Sequence, residues 1–294
     1  MVSTIKQTIT RRRIQIGLGC LWILDGLLQL QPQMFTNRFA LRVLQPASLS
    51  QPVVVADPMR FVIRTILLHP AVFDLLFAVI QLSIGVLILT KRTLKLGLII
   101  SIAWGLLVWW LGEGLGGLAT GQALLLTGAP GAALIYSLLA IGVMPKQQAN
   151  NDPHPDSWLA YAWMTLWMGG AVLFLASGAN AKQIAHIVYQ NSVGAPSWLA
   201  RIDINASHLI GALGNWLVIV VVLMELLIGF SAIFARWRRS LGLYLGMLVA
   251  LCFWVIGQSL GTYYSGLATD PNSAPLIILL GLAVLATKQF YLFS

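Results

Sequence analysis

Trp109-Trp110-Leu111-Gly112-Glu113-Gly114-Leu115-Gly116 returns 145 residues later as Trp254-Val255-Ile256-Gly257-Gln258-Ser259-Leu260-Gly261. The same offset lays Leu21-Trp22 on Leu166-Trp167, Leu96-Gly97-Leu98 on Leu241-Gly242-Leu243, Thr120-Gly121 on Ser265-Gly266, and Ala129-Pro130 on Ala274-Pro275. With a gap of one residue, Gln81-Leu82-Ser83-Ile84-Gly85 falls on Glu225-Leu226-Leu227-Ile228-Gly229. One offset sustained through the chain points to an internal duplication, and the differences between the copies then carry information.

With 58% hydrophobic and 9% charged side chains in 294 residues, the chain has too little polar surface for a soluble globule of its size, which places it in a bilayer. Runs apolar enough to span are roughly 14–31, 67–89, 94–116, 122–144, 158–177, 208–235, 240–261 and 275–292. The expected fold is therefore an all-α polytopic membrane protein, with eight transmembrane helices forming two parallel four-helix repeats. The repeats cover 1–145 and 158–294, joined by a polar linker at 146–157. An even number of spans per repeat gives both the same orientation, related by a pseudo-twofold along the membrane normal. With the N-terminus inside, twelve of the eighteen Lys and Arg residues fall on the inner side, which predicts both termini cytoplasmic. The same rule accounts for the net charge of +9 without nucleic acid. Arg11-Arg12-Arg13 before the first apolar run resembles a signal peptide in charge, yet no small-residue cleavage site follows, so an uncleaved first span is expected. Cys20 and Cys252 fall inside spans and read as inert packing residues.

Ionisable groups within a bilayer are costly and are the first functional candidates. Asp25, Asp74 and Glu113 fall in the outer half and Glu225 near the midplane; Asp25, Glu113 and Glu225 are the candidate proton-handling residues. The second copy places Gly170, Val218 and Gln258 where the first has Asp25, Asp74 and Glu113, so a protonatable site belongs to the first copy, with Glu225 the exception. The outer segments 32–66 and 178–207 read as interfacial amphipathic helices. Within them Arg60 and Arg64, one helical turn apart, are expected to face a small anion, with His69, His208 and Gln258 as further substrate-binding candidates. Two helix N-termini after the Ala-Pro pairs offer free N–H groups to the same anion. Gly112-xxx-Gly116 and Gly257-xxx-Gly261 read as small-residue helix contacts. The histidines match no compact metal or haem signature. The tryptophans read mainly as an interfacial belt, and Trp109, Trp110 and Trp254 are candidates to stack on a flat quinone ring.

The first span, Gly17-Leu18-Gly19-Cys20-Leu21-Trp22-Ile23-Leu24-Asp25-Gly26-Leu27-Leu28-Gln29-Leu30 before Pro32, and the segment Glu225-Leu226-Leu227-Ile228-Gly229 together resemble the DoxX-like superfamily of four-helix membrane proteins. That superfamily includes the DoxD-type subunit of thiosulfate:quinone oxidoreductase. The resemblance implies a membrane subunit of a quinone-linked oxidoreductase acting at the extracytoplasmic face of a bacterial or archaeal plasma membrane, with quinone as cofactor and a further membrane or periplasmic subunit as partner. The fused double unit, and Gln81 where the second copy has Glu225, depart from that pattern. Two other functions fit the residues: a proton-coupled transporter or channel for a small anion, and a structural or assembly subunit of a larger complex.

Overall fold

The computed structural model describes residues 9–145, 154–233 and 236–287, with backbone alone at 236–238; Lys6, Lys146, Lys288 and linker residues 146–153 lie outside the described residues. Every regular element among them is helical. The principal helices are α1 (Arg11–Gln29), α2 (Val53–Leu68), α3 (Pro70–Leu89), α4 (Leu94–Leu111), α5 (Ala132–Gly142), α6 (Leu159–Ser177), α7 (Ala181–Asn191), α8 (Ser197–Leu213), α9 (Asn215–Ser231), α10 (Arg236–Cys252) and α11 (Ser273–Ala286). Local chemistry sets their ends. Thr10 caps α1, Pro70 opens α3 where a missing N–H costs nothing, Asn180 and Gln183 form a capping box on α7, and left-handed Gly178 closes α6.

Among the described residues four helical segments are long and apolar enough to cross a membrane: Pro70–Leu89, Leu94–Leu111, Leu159–Ser177 and Arg239–Ser265. The pair Ser197–Leu213 and Asn215–Ser231 makes a fifth if its 100° bend is taken as a broken span. The chain thus has the helices of a membrane protein but not the eight spans expected from hydropathy. The reasons are local. Run 14–31 is helical but begins in three arginines and carries Asp25. Run 208–235 bends at Gly214, whose φ of 61° and ψ of −155° no helix accommodates. Run 122–144 keeps only the 11 residues of α5, and run 275–292 only the 14 of α11 among the described residues. Hydropathy averages over such breaks, whereas length in an unbroken helix decides whether a segment can span.

α1 packs along α3, α6 along α9, α4 against α5 and α10 against α11, while α5 meets α11 at the centre. Eleven of the fourteen residues of α11 are buried, so this short apolar helix is core rather than a lipid-facing rod. Trp163 and Trp167 are fully buried beside it, with ring centroids 5.5 Å apart, not at an interface. Cys20 and Cys252 lie on exposed helix faces instead of packing inside.

The close contacts of one half recur in the other. A Cβ at Gly85 would stand 2.8 Å from the Gly19 carbonyl oxygen; one at Gly229 would stand 3.2 Å from that of Met164. Gly97 abuts Leu87, and Gly242 abuts Ser231. Trp109 Nε1 donates to the Pro130 carbonyl at 2.7 Å, and Trp254 Nε1 to that of Pro271 at 2.8 Å. Each contact in the second half sits 144 or 145 residues after its counterpart, except at the last pair. There Pro271, and not Pro275, does what Pro130 does, so the sequence pairing of Ala129-Pro130 with Ala274-Pro275 misses a four-residue shortening of the second loop.

Candidate functional site

The break after α4 builds one wall of the site. The chain leaves the helix at Gly112 and turns through Gly114 and Gly116, both at positive φ. Gly116 and Gly261 are therefore loop residues pressed against Pro130 and Pro271, not helix-packing glycines. The turn aims Glu113 at the start of α5, where its Oε1 accepts from Ala133 N at 3.1 Å. In the other half Gln258 Oε1 accepts from Ala274 N at 3.2 Å at the start of α11. The two helix N-termini expected to hold a substrate anion thus already bind side chains of the chain itself, one acidic and one neutral. Because Gln258 performs the same capping, Glu113→Gln is expected to leave thermal stability in detergent within about 0.5 kcal/mol of wild type, while Glu113→Ala loses about 1 kcal/mol.

Between α1, α2, α3, α4 and α5 lies a cavity of about 350 Å³. Aromatic rings form much of its wall: Trp22, Phe39, Phe61, Phe73, Phe77, Trp104 and Tyr136. Asp25, Gln29, Gln81, Glu113, Thr269 and Asp270 supply its polar groups, and no lysine, arginine or histidine lines it among the described residues. Trp22 is held by its Nε1 donating to Ser101 Oγ at 2.8 Å and by stacking on Tyr136 with centroids 4.2 Å apart. Gln29 donates to Asp74 behind the wall. Asp25 Oδ1, Gln81 Oε1, Glu113 Oε2 and Trp104 Nε1 are buried without hydrogen-bond partners, while the Tyr136 hydroxyl faces the Asp25 carboxyl. Buried polar atoms are paired in the great majority of cases, so four orphans around one cavity mark it as a place where something else supplies the bonds.

Asp25 and Glu113 therefore share a pocket, as their depths suggest. Asp270 joins them from the second half, close enough that the three carboxyl groups interact electrostatically. Its Oδ1 accepts from Asn272 N at 2.7 Å and its Oδ2 from Thr269 Oγ1 at 2.6 Å, while burial pushes its carboxyl above the usual range. The Asp270-Pro271-Asn272-Ser273 stretch reads as turn and cap chemistry in the sequence, which hides this second role. A pocket built from the first copy alone is thus corrected: the loop 266–272 roofs it. That loop is tied down by Gln31 Nε2 donating to Ala268 O at 3.2 Å and by Gly266 lying against the Gln33 amide. The exchange is mutual, since Leu125 in the loop after α4 packs against Gly170 on α6.

Other candidates lie elsewhere. Glu225 is buried in the second half with both oxygens unpartnered, and a Cβ on Gly170 would stand 3.2 Å from its Oε2. The acid on the first helix opposite an amide on the second in one half, Asp25 with Gln81, becomes a glycine opposite an acid in the other. Arg60 is exposed and paired with Asp57 at 2.8 Å; Arg64, His69 and His208 are also exposed, and none of the four lines the cavity. Trp110 faces outward at 44% exposure, and Trp109 and Trp254 hold the proline carbonyls, so the rings around the cavity are instead Trp22 and Trp104. Among the described residues no three His, Cys, Asp or Glu side chains are grouped to hold a metal ion. No family model, curated protein or solved structure matches the chain.

Proposed function

We propose that the chain binds a lipophilic small molecule in the aromatic, acid-lined cavity and that Asp25 and Glu113 exchange protons with it. The observation that carries this reading is the set of buried, unpartnered polar atoms of residues lining the cavity, Asp25 Oδ1, Gln81 Oε1 and Glu113 Oε2 among them. A quinol meets both demands, because its ring fits between aromatic walls and its hydroxyls donate to carboxyl oxygens. In this form the chain is the quinone-binding membrane subunit of a plasma-membrane oxidoreductase, in line with the resemblance of its first helix to the DoxX-like superfamily. The two halves are then two copies of one unit, with Asp270 of the second closing the acid-lined pocket of the first. An anionic substrate at this site is disfavoured, since three carboxyl groups and no cation surround it.

The test is binding of decylubiquinol to the purified chain in lipid nanodiscs, followed by tryptophan quenching. One-to-one binding is expected, weakened by roughly 10- to 100-fold in the Asp25→Asn, Glu113→Gln double variant, as loss of two hydrogen bonds to charged acceptors implies. No binding by the wild type, or equal binding by the variant, overturns the reading.

A proton-coupled transporter is the second reading, favoured by Glu225, a buried unpartnered acid that does not line the cavity. It requires that Glu225→Gln abolish proton-driven uptake in liposomes; uptake unchanged in that variant removes it.

A further inference from the structure

We propose that the cavity also takes a lipophilic monocation, a protonated or quaternary amine, and that Asp270 of the second half is one of its binding residues. The inference rests on the reading of the cavity as a small-molecule site and names the class of molecule.

Three features of the lining select positive charge. Asp25, Glu113 and Asp270 bring three carboxyl groups to one cavity, from α1, from the end of α4 and from the loop before α11. No lysine, arginine or histidine among the described lining residues neutralises them. In a wall of low dielectric, neighbouring acids repel, and a cation among them relieves that repulsion while gaining Coulomb attraction to each. Independently of the acids, Gln81 is 7% exposed and borders the cavity, and its Oε1 has no partner among the described residues, so the site offers a hydrogen-bond acceptor that the chain leaves unused. Finally, Trp22, Trp104, Phe73 and Phe77 are among the lining residues, and aromatic rings attract cations most strongly where water is excluded.

Asp270 is the residue that makes this a property of the whole chain. Both its oxygens accept bonds from Thr269 and Asn272 in its own loop, which holds the carboxyl in place at the cavity wall. Ala129, the matching position before Pro130 in the other loop, carries no such group.

Phenyltrimethylammonium and tert-butylbenzene have the same shape and differ in charge. Titrated calorimetrically into the chain in nanodiscs, with empty nanodiscs as reference, the cation is expected to bind about tenfold tighter than the neutral isostere. Asp270→Asn is expected to cut binding of the cation by about tenfold and leave the isostere unchanged. Isostere binding equal to or tighter than that of the cation in the wild type overturns the proposal whether or not the variant folds, as does an Asp270→Asn chain that folds and binds the cation undiminished. Decylubiquinol in parallel separates the two readings: if it binds and the cation does not, the cavity reading stands and the cation assignment falls. If none of the three probes binds, both fall.

Discussion

Gly116→Ala is expected to unfold the segment around the cavity, lowering stability by about 3 kcal/mol or more. A Cβ at Gly116 would lie 1.8 Å from the Pro130 carbonyl oxygen and 2.2 Å from its carbon, and both are backbone atoms that cannot rotate away. Gly116 also sits at φ 62°, where an L side chain is strained in any space. Displacing Pro130 would break the bond from Trp109 and move the start of α5 away from Glu113, so ligand binding is lost with the fold. Gly121 separates the two causes. Its φ is 71° but a Cβ there meets nothing within 4 Å, so Gly121→Ala is expected to cost only about 1 kcal/mol. Thermal melting of both variants in mild detergent, read by fluorescence-detected size exclusion, measures the difference; equal melting of Gly116→Ala and wild type would contradict the packing described.

The second large effect is expected at Arg11. Its guanidinium donates to the carbonyls of Met144 and His154, the Nε–His154 bond being 2.8 Å, and pairs with Asp156 at 3.2 Å. The side chain is only 9% exposed. It therefore ties the start of α1 to both sides of the junction between the halves. Arg11→Ala strands these acceptors with little access to water and is expected to cost about 3 kcal/mol. Arg11→Lys restores charge but not the fork, so it should recover less than half of that loss. The same melting assay decides; a neutral Arg11→Ala would mean that the junction is held by other contacts. Arg12 differs in kind, donating to the Ile88 and Leu89 carbonyls, where a cation suits the C-terminus of α3.

The sequence reveals much of this design where it repeats itself. Equality between the copies marks structure: Trp109 and Trp254, assigned to a quinone by their aromatic chemistry alone, are the same residue twice because each holds a proline carbonyl. Inequality marks the site. Asp25 and Glu113 stand opposite Gly170 and Gln258, and both border the cavity. Asp270 escapes that comparison because its counterpart falls within a loop of different length, where a fixed offset pairs the wrong residues. The exposed Arg60 and Arg64 attract attention as charges in an apolar chain, yet nothing in their spacing distinguishes an inward from an outward face. Span number is misread for a related reason: hydropathy registers composition, whereas the break at Gly214 and the short helices α5 and α11 are conformational.

The crossing of the two loops has a consequence for biosynthesis. When the ribosome has released the first half, α1 still lacks its contact with α11, and the acid-lined chamber between α1 and α5 stands open until residues 266–272 arrive. The binding site is thus completed only after the second half has been made, and a chain severed at the inter-half junction would carry Asp25 and Glu113 without Asp270 to enclose them.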